Sequence, residues 1–113
     1  TLKIYEKLTD AFLLREQQMA FITRQLDQCH YPVILCGDFN DTPSSYVYNQ
    51  ISKKLEDTFK NKGKGLGQTY AGQLPFLRID YIFKTGNINT FRYQTYQVDF
   101  SDHFPVSTLL TIE

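Results

Sequence analysis

Tryptophan is absent from this sequence, methionine occurs once and cysteine only twice, at Cys29 and Cys36. Two cysteines cannot build a disulfide-dense scaffold or a four-thiolate metal site. A pair of buried free thiols is the expectation. Net charge is equally lacking, because twelve basic residues offset twelve acidic ones. A zero balance gives no electrostatic footprint for tight non-specific nucleic-acid binding. It leaves open a phosphate held by a few local groups or a metal. No apolar run approaches the length needed to span a membrane, and no signal-peptide pattern is present. The chain opens on Thr1 rather than methionine, which leaves room for an anchor or targeting segment upstream and leaves the compartment unassigned.

What is present is apolar and aromatic: 42% of 113 residues are hydrophobic, with eight tyrosines and nine phenylalanines. That suffices for one globular domain with a modest core. Leu8, Phe12, Met19, Ile22, Leu26 and Cys29 follow helical spacing and predict one amphipathic helix. Thr9 or Asp10 could cap it unless it begins earlier, and Arg15 falls on the apolar stripe, where it would snorkel to the surface. Pro32 ends the helix. "VILC" (33–36) is short and apolar without alternation, which suits a strand covered on both faces. A second helix is expected from Ser44 or Ser45 to Leu55, with Ser44 as its cap. The Gly- and Lys-rich stretch 60–68 reads as a solvated loop without P-loop character, in which Lys62 or Lys64 could play a minor phosphate role. Strands are predicted at 78–84, 91–98 and 104–112. The chain is one unit, with no repeats and no internal boundary.

Three short segments place acids or histidine at strand ends or within strands: "GDFND" (37–41), "RIDYI" (78–82) and "SDHFPV" (101–106). Asp80 stands out, because alternation puts it on the same face as Ile82 in a strand too apolar to be wholly exposed. A buried carboxylate needs a partner. His103 is one candidate: an Asp accepting from one ring nitrogen fixes the tautomer and aims the other at a substrate. Arg78 or Arg92 would be a purely structural partner instead. Asp102 should point away from His103 unless the segment is a turn. Singly, each segment also reads as ordinary turn chemistry.

Taken together and in this order, "GDFNDTP", "RIDYIF" and "SDHFPV" closely resemble the endonuclease/exonuclease/phosphatase superfamily, whose members have the deoxyribonuclease-I-like fold. The resemblance runs over nearly the whole chain. It implies an α/β (α+β) architecture: the C-terminal half, residues 1–113, of a four-layer α/β sandwich. One mixed, mainly antiparallel sheet would carry helices on one face. It also implies a phosphoesterase, either a nuclease or phosphodiesterase or a phosphatase, that attacks a phosphate ester with activated water. By resemblance, Asp38 acts as general base or as proton donor to the leaving group, and Asn40 binds the phosphate and orients the nucleophile. Asp80 orients the catalytic histidine, Asp102 ligates a divalent metal, and His103 contacts the phosphate. The oxygen-rich set suits Mg²⁺ or Mn²⁺ better than Zn²⁺. Thr69 and Tyr70, in "GQTYAG", resemble a segment bordering the cleft.

The family's other half supplies a metal-binding Glu and a His in an Asn-x-His-Leu segment, and neither is present here. The only other histidine is His30. The expectation is therefore a fragment that binds Mg²⁺ weakly, hydrolyses little alone, and self-associates through the apolar sheet face meant for the missing half. Candidate substrates are nucleic acid, a phospholipid head group, an inositol phosphate or a nucleotide. The competing reading is a non-catalytic binding or assembly module that retains the fold.

Overall fold

A computed structural model describes residues 2–39, 42–43, 45–72 and 76–112, with side chains from Leu13 onward. Asn40, Asp41 and Ser44 lie outside the described residues, as do the side chains of Leu8, Thr9, Asp10 and Phe12. The long helix α1 spans Leu2–Gln28, so it begins well before Thr9 and Asp10. It ends four residues before Pro32, whose ring disfavours helical geometry in the residue before it. Strand β1 (Ile34–Asp38) follows, then helix α2 (Tyr46–Ser52). The cap of α2 is Ser45, whose hydroxyl accepts from the Tyr48 amide at 3.2 Å.

The polar stretch after α2 is more ordered than its composition suggests. A two-residue strand β2 (Glu56–Asp57) leads directly into helix α3 (Thr58–Lys62). Lys60 and Lys62, expected in a loop, therefore sit in the last turn of a helix, where cations complement the exposed carbonyls. Asp57 caps α3 by accepting from the Phe59 amide at 3.0 Å. Gly67 has φ +69°, and a Cβ there would lie 2.4 Å from the Phe59 ring. Only glycine meets both demands.

Strands β3 (Asp80–Lys84), β4 (Ile88–Thr95) and β5 (Val106–Ile112) complete the chain. The expected mixed α/β architecture is present, but the described strands form two antiparallel ladders rather than one sheet. One has the order β1-β3-β2 and the other pairs β4 with β5. The break falls at the tight turn after Lys84, beyond which β4 pairs with β5 alone. Helix α3 touches both β3 and β4 and so joins the ladders.

The main core lies on one face of β3. Tyr81 and Phe83 meet Met19 of α1 and Tyr48, Ile51 and Leu55 of α2 and its flank. Leu35, Phe39, Ile22 and Leu26 close the edges. The opposite face of β1 is uncovered: Ile34 is 48% exposed, and Cys36 is a free, exposed thiol. This corrects the reading of "VILC" as a strand covered on both faces, and of Cys36 as buried. Helices α1 and α2 pack on the other face of the ladder, which leaves Ile34 and Cys36 open. Cys29 is also free and exposed, because it lies just past the end of α1.

Candidate functional site

Strands β1 and β3 run antiparallel with Asp38 directly opposite Asp80, at the end of the ladder. Opposed residues share a face, and two carboxylates so placed repel one another. The Phe39 amide extends the pairing by donating to the Ile79 carbonyl at 3.0 Å. Phe39 itself packs on the core side, its ring 5.5 Å from that of Tyr81. The two acids are thus aimed outward by the same alternation that anchors their neighbours.

The histidine arrives from the segment before β5, where 99–102 form turns and bends. His103 bridges antiparallel to Tyr70. The Phe104 amide donates to the Thr69 carbonyl at 2.6 Å, and the Ala71 amide to the Asp102 carbonyl at 2.7 Å. Thr69 is fully buried, and its hydroxyl oxygen accepts from the amides of Ile79 (2.9 Å) and Asp80 (3.2 Å). One threonine therefore locks the start of β3 to the segment that carries the histidine.

His103 Nδ1 lies 2.9 Å from Asp80 Oδ2, and His103 Nε2 lies 3.4 Å from Asp38 Oδ2. The first is an ordinary hydrogen bond; the second is a looser electrostatic contact. The hydrogen bond that the ring makes to the Asp80 carboxylate is the main cause that holds the imidazole pKa above its usual 6.5. Partial desolvation opposes it, and the charges of Asp80, Asp38 and Asp102 add to it. Exposure rises along the row, with side-chain values of 17% for Asp80, 29% for His103 and 40% for Asp38. The Tyr70 ring stands edge-on to the imidazole at 5.8 Å. An imidazole fixed at one nitrogen and open at the other can donate to, or exchange a proton with, a group entering beside Asp38.

Of the five expected site residues, Asp38, Asp80 and His103 come together, although they lie far apart in sequence. Their ligand atoms all fall within 4.8 Å of one another, a group able to hold a metal. Asp102, the expected metal ligand, stands apart from that group: its carboxylate is exposed and accepts from Ser101 Oγ at 3.2 Å. Asn40 lies outside the described residues. Arg15 is exposed, as expected for a snorkelling arginine, and lines a cavity of about 310 Å³ that also includes Asp38, Phe39 and Val47.

The structural alternative for Asp80 is not realised with Arg78, which pairs instead with Asp57 at 2.7 Å. Sequence reasoning missed Asp57 as a partner and Thr69 as the tie beneath the site. A buried arginine before an apolar strand signals the need for an acid, but not which one. The side chain of Thr69 has no local signal at all.

A family model described as the endonuclease/exonuclease/phosphatase family matches residues 8–103. No curated protein sequence matches the chain. Among solved structures, an endonuclease/exonuclease/phosphatase from Bacteroides vulgatus is 25% identical with a TM-score of 0.77, over 88% of this chain and 44% of its own. A mannosyl-6-phosphatase from Bacteroides thetaiotaomicron VPI-5482 is 28% identical with a TM-score of 0.62, over 90% of this chain and 44% of its own. A conserved protein of unknown function from Enterococcus faecalis V583 is 25% identical with a TM-score of 0.76, again over 88% and 44%. The chain thus spans less than half the length of the structures it resembles. With the match covering the Asp38, Asp80 and His103 segments alike, the chain belongs to the endonuclease/exonuclease/phosphatase family.

Proposed function

We propose that this chain supplies the Asp–His part of a site that hydrolyses phosphate esters, with the remaining groups contributed by residues beyond these 113. The observation that carries the reading is the imidazole set between two acids, bonded to Asp80 and facing Asp38. In the reaction, a water oxygen bonds to phosphorus, the ester P–O bond breaks, and the departing alkoxide takes a proton. His103, whose protonated form the bond to Asp80 favours, donates to a phosphate oxygen and offsets its negative charge. Asp38, the most exposed of the three, takes the proton from water or passes one to the leaving oxygen. Asn40 is assigned to phosphate binding. Asp80 is the positioning residue, since its effect passes through the imidazole.

The donor chemistry suits a hard divalent cation, Mg²⁺ or Mn²⁺, because carboxylate oxygens dominate it. Asp102 is the ligand assigned from this chain, with the carboxylate oxygens of Asp38 and Asp80 as neighbouring hard donors, while both ring nitrogens of His103 stay committed to hydrogen bonding. When bound, such an ion would neutralise charge on the phosphate and lower the pKa of water. Among ester classes we favour phosphate monoesters. A relative is a mannosyl-6-phosphatase, and the zero net charge lacks the basic footprint of a nuclease.

In the protein that carries both parts of the site, His103→Ala should lower kcat on p-nitrophenyl phosphate with Mg²⁺ by about 10²- to 10⁴-fold. The 113-residue chain alone should turn over little. An unchanged rate in the variant, or full turnover by the isolated chain, would overturn the reading.

A further inference from the structure

Gly72 is a glycine for a reason that its own backbone does not supply. Its φ lies outside the left-handed region, so the main chain there would accept an alanine. A Cβ on Gly72 would nevertheless overlap the Tyr70 ring, at Cζ and at the phenol oxygen. The missing side chain therefore serves the ring: it leaves a seat for the tip of Tyr70.

The seated ring stands against the histidine of the site. Tyr70 and His103 oppose one another across an antiparallel bridge, and residues so opposed share a face. Their ring centroids lie 5.8 Å apart with planes at 73°, the near-perpendicular arrangement that aromatic pairs favour. The main chain beneath Tyr70 is held on several sides. Its amide donates to the Leu77 carbonyl at 3.1 Å, its carbonyl accepts from Gln68 Nε2 at 2.8 Å, and the following amide, that of Ala71, donates to the Asp102 carbonyl. No hydrogen bond among the described residues uses the phenol oxygen, so the contact belongs to the ring and not to the hydroxyl.

His103 has need of such a neighbour. Its restraints, 2.9 Å to Asp80 and 3.4 Å to Asp38, both act through ring nitrogens and so lie close to the imidazole plane. They resist tilting about the line through the two nitrogens least of all. The side chain is 29% exposed, so close packing does not supply the missing restraint. A ring standing across its flank does.

We propose that Tyr70 is a positioning residue for His103, and that Gly72 is the seat that allows it to be one. The effect on turnover rests on the phosphoesterase reading; the ring contact does not.

The test uses the protein that carries both parts of the site, with p-nitrophenyl phosphate and Mg²⁺ for turnover and the His103 ring resonances, at fixed pH, for geometry. Tyr70→Ala should shift those resonances and lower kcat by about 3- to 10-fold, the rate equivalent of one aromatic pair, while KM changes by less than about twofold. Gly72→Ala should reproduce both changes by displacing the ring, and should add nothing in a Tyr70→Ala background. Tyr70→Phe, which keeps the ring, should restore both. Tyr70 and Gly72 are only partly buried, so urea midpoints should stay near that of the parent. Unmoved resonances in Tyr70→Ala, or additive losses in the double variant, would refute the link from Gly72 to His103. A raised KM at unchanged kcat would make Tyr70 a substrate contact, and failure of Tyr70→Phe to restore kcat would move the role to the hydroxyl; either overturns the proposal. If the parent turns over no phosphate ester, the phosphoesterase reading fails, while the resonances still judge the ring contact.

Discussion

Two carboxylate–cation pairs flank the start of β3, and they are built to opposite ends. Asp57 and Arg78 lie 2.7 Å apart with side-chain exposures of 1% and 6%. Asp80 and His103 lie 2.9 Å apart, at 17% and 29%. Asp57 also accepts from the Tyr48 hydroxyl at 2.9 Å and from the Phe59 amide. Arg78 is enclosed by rings, with its guanidinium 4.3 Å from the centroid of Phe59 and 5.0 Å from that of Tyr81. Both carboxylate oxygens of Asp57 are thus engaged from within, and the pair ties the start of α3 to the segment that leads into β3. The Asp80–His103 pair reaches the surface and turns its second nitrogen toward a further acid. Distance alone does not separate structural from chemical ion pairs; what each partner has left over does.

Three substitutions test this contrast, beginning with the largest effect. Arg78→Ala leaves Asp57 charged and buried, and should destabilise the fold by about 3–5 kcal/mol in urea unfolding. A loss under 1 kcal/mol would mean that the buried pair does not hold the domain together. Next, Thr69→Val removes the acceptor shared by the Ile79 and Asp80 amides. The expected loss is about 1–3 kcal/mol for buried amides left unpaired, with displaced His103 resonances in the NMR spectrum. A variant of unchanged stability and unchanged spectrum would refute the tie between β3 and the histidine segment.

The smallest effect on stability, and the most local, is that of Asp80→Asn. The folded pKa of His103 is raised, so its stabilising contribution is complete below the unfolded value near 6.5 and disappears as pH rises through the higher folded value. In the metal-free protein, Asp80→Asn should move the His103 titration midpoint down and flatten the dependence of stability on pH above 6.5. The same midpoint in both proteins would show that Asp80 does not set the protonation of the histidine.

The sequence made the chemistry more legible than the architecture. Asp80 in an apolar strand announced its need for a partner, and the three motifs in order pointed to His103 and Asp38, which the fold does bring together. The helix stripe through Met19, Ile22 and Leu26 also stands against the core as its spacing requires. Elements β2 and α3 were hidden because they are two and five residues long and carry the lysines and glycines of a loop. Their order comes from Asp57, whose partners lie across the fold. Cys36 and Ile34 misled for another reason: an apolar run shows that a strand can be covered on both faces, not that both covers are supplied by the same residues.

The outward row of β1 alternates Ile34, Cys36 and Asp38 against the inward Leu35 and Phe39. This alternation makes the strand intolerant of changes in length rather than of changes in composition. Ile34 and Cys36 could be exchanged for other side chains of similar bulk with little disturbance to the core. Inserting one residue between Leu35 and Asp38 would instead turn the acid toward Tyr81 and the phenylalanine toward solvent. Core and site would then be lost in a single step. Deletions and insertions in β1 are therefore the lesions this domain is least able to absorb.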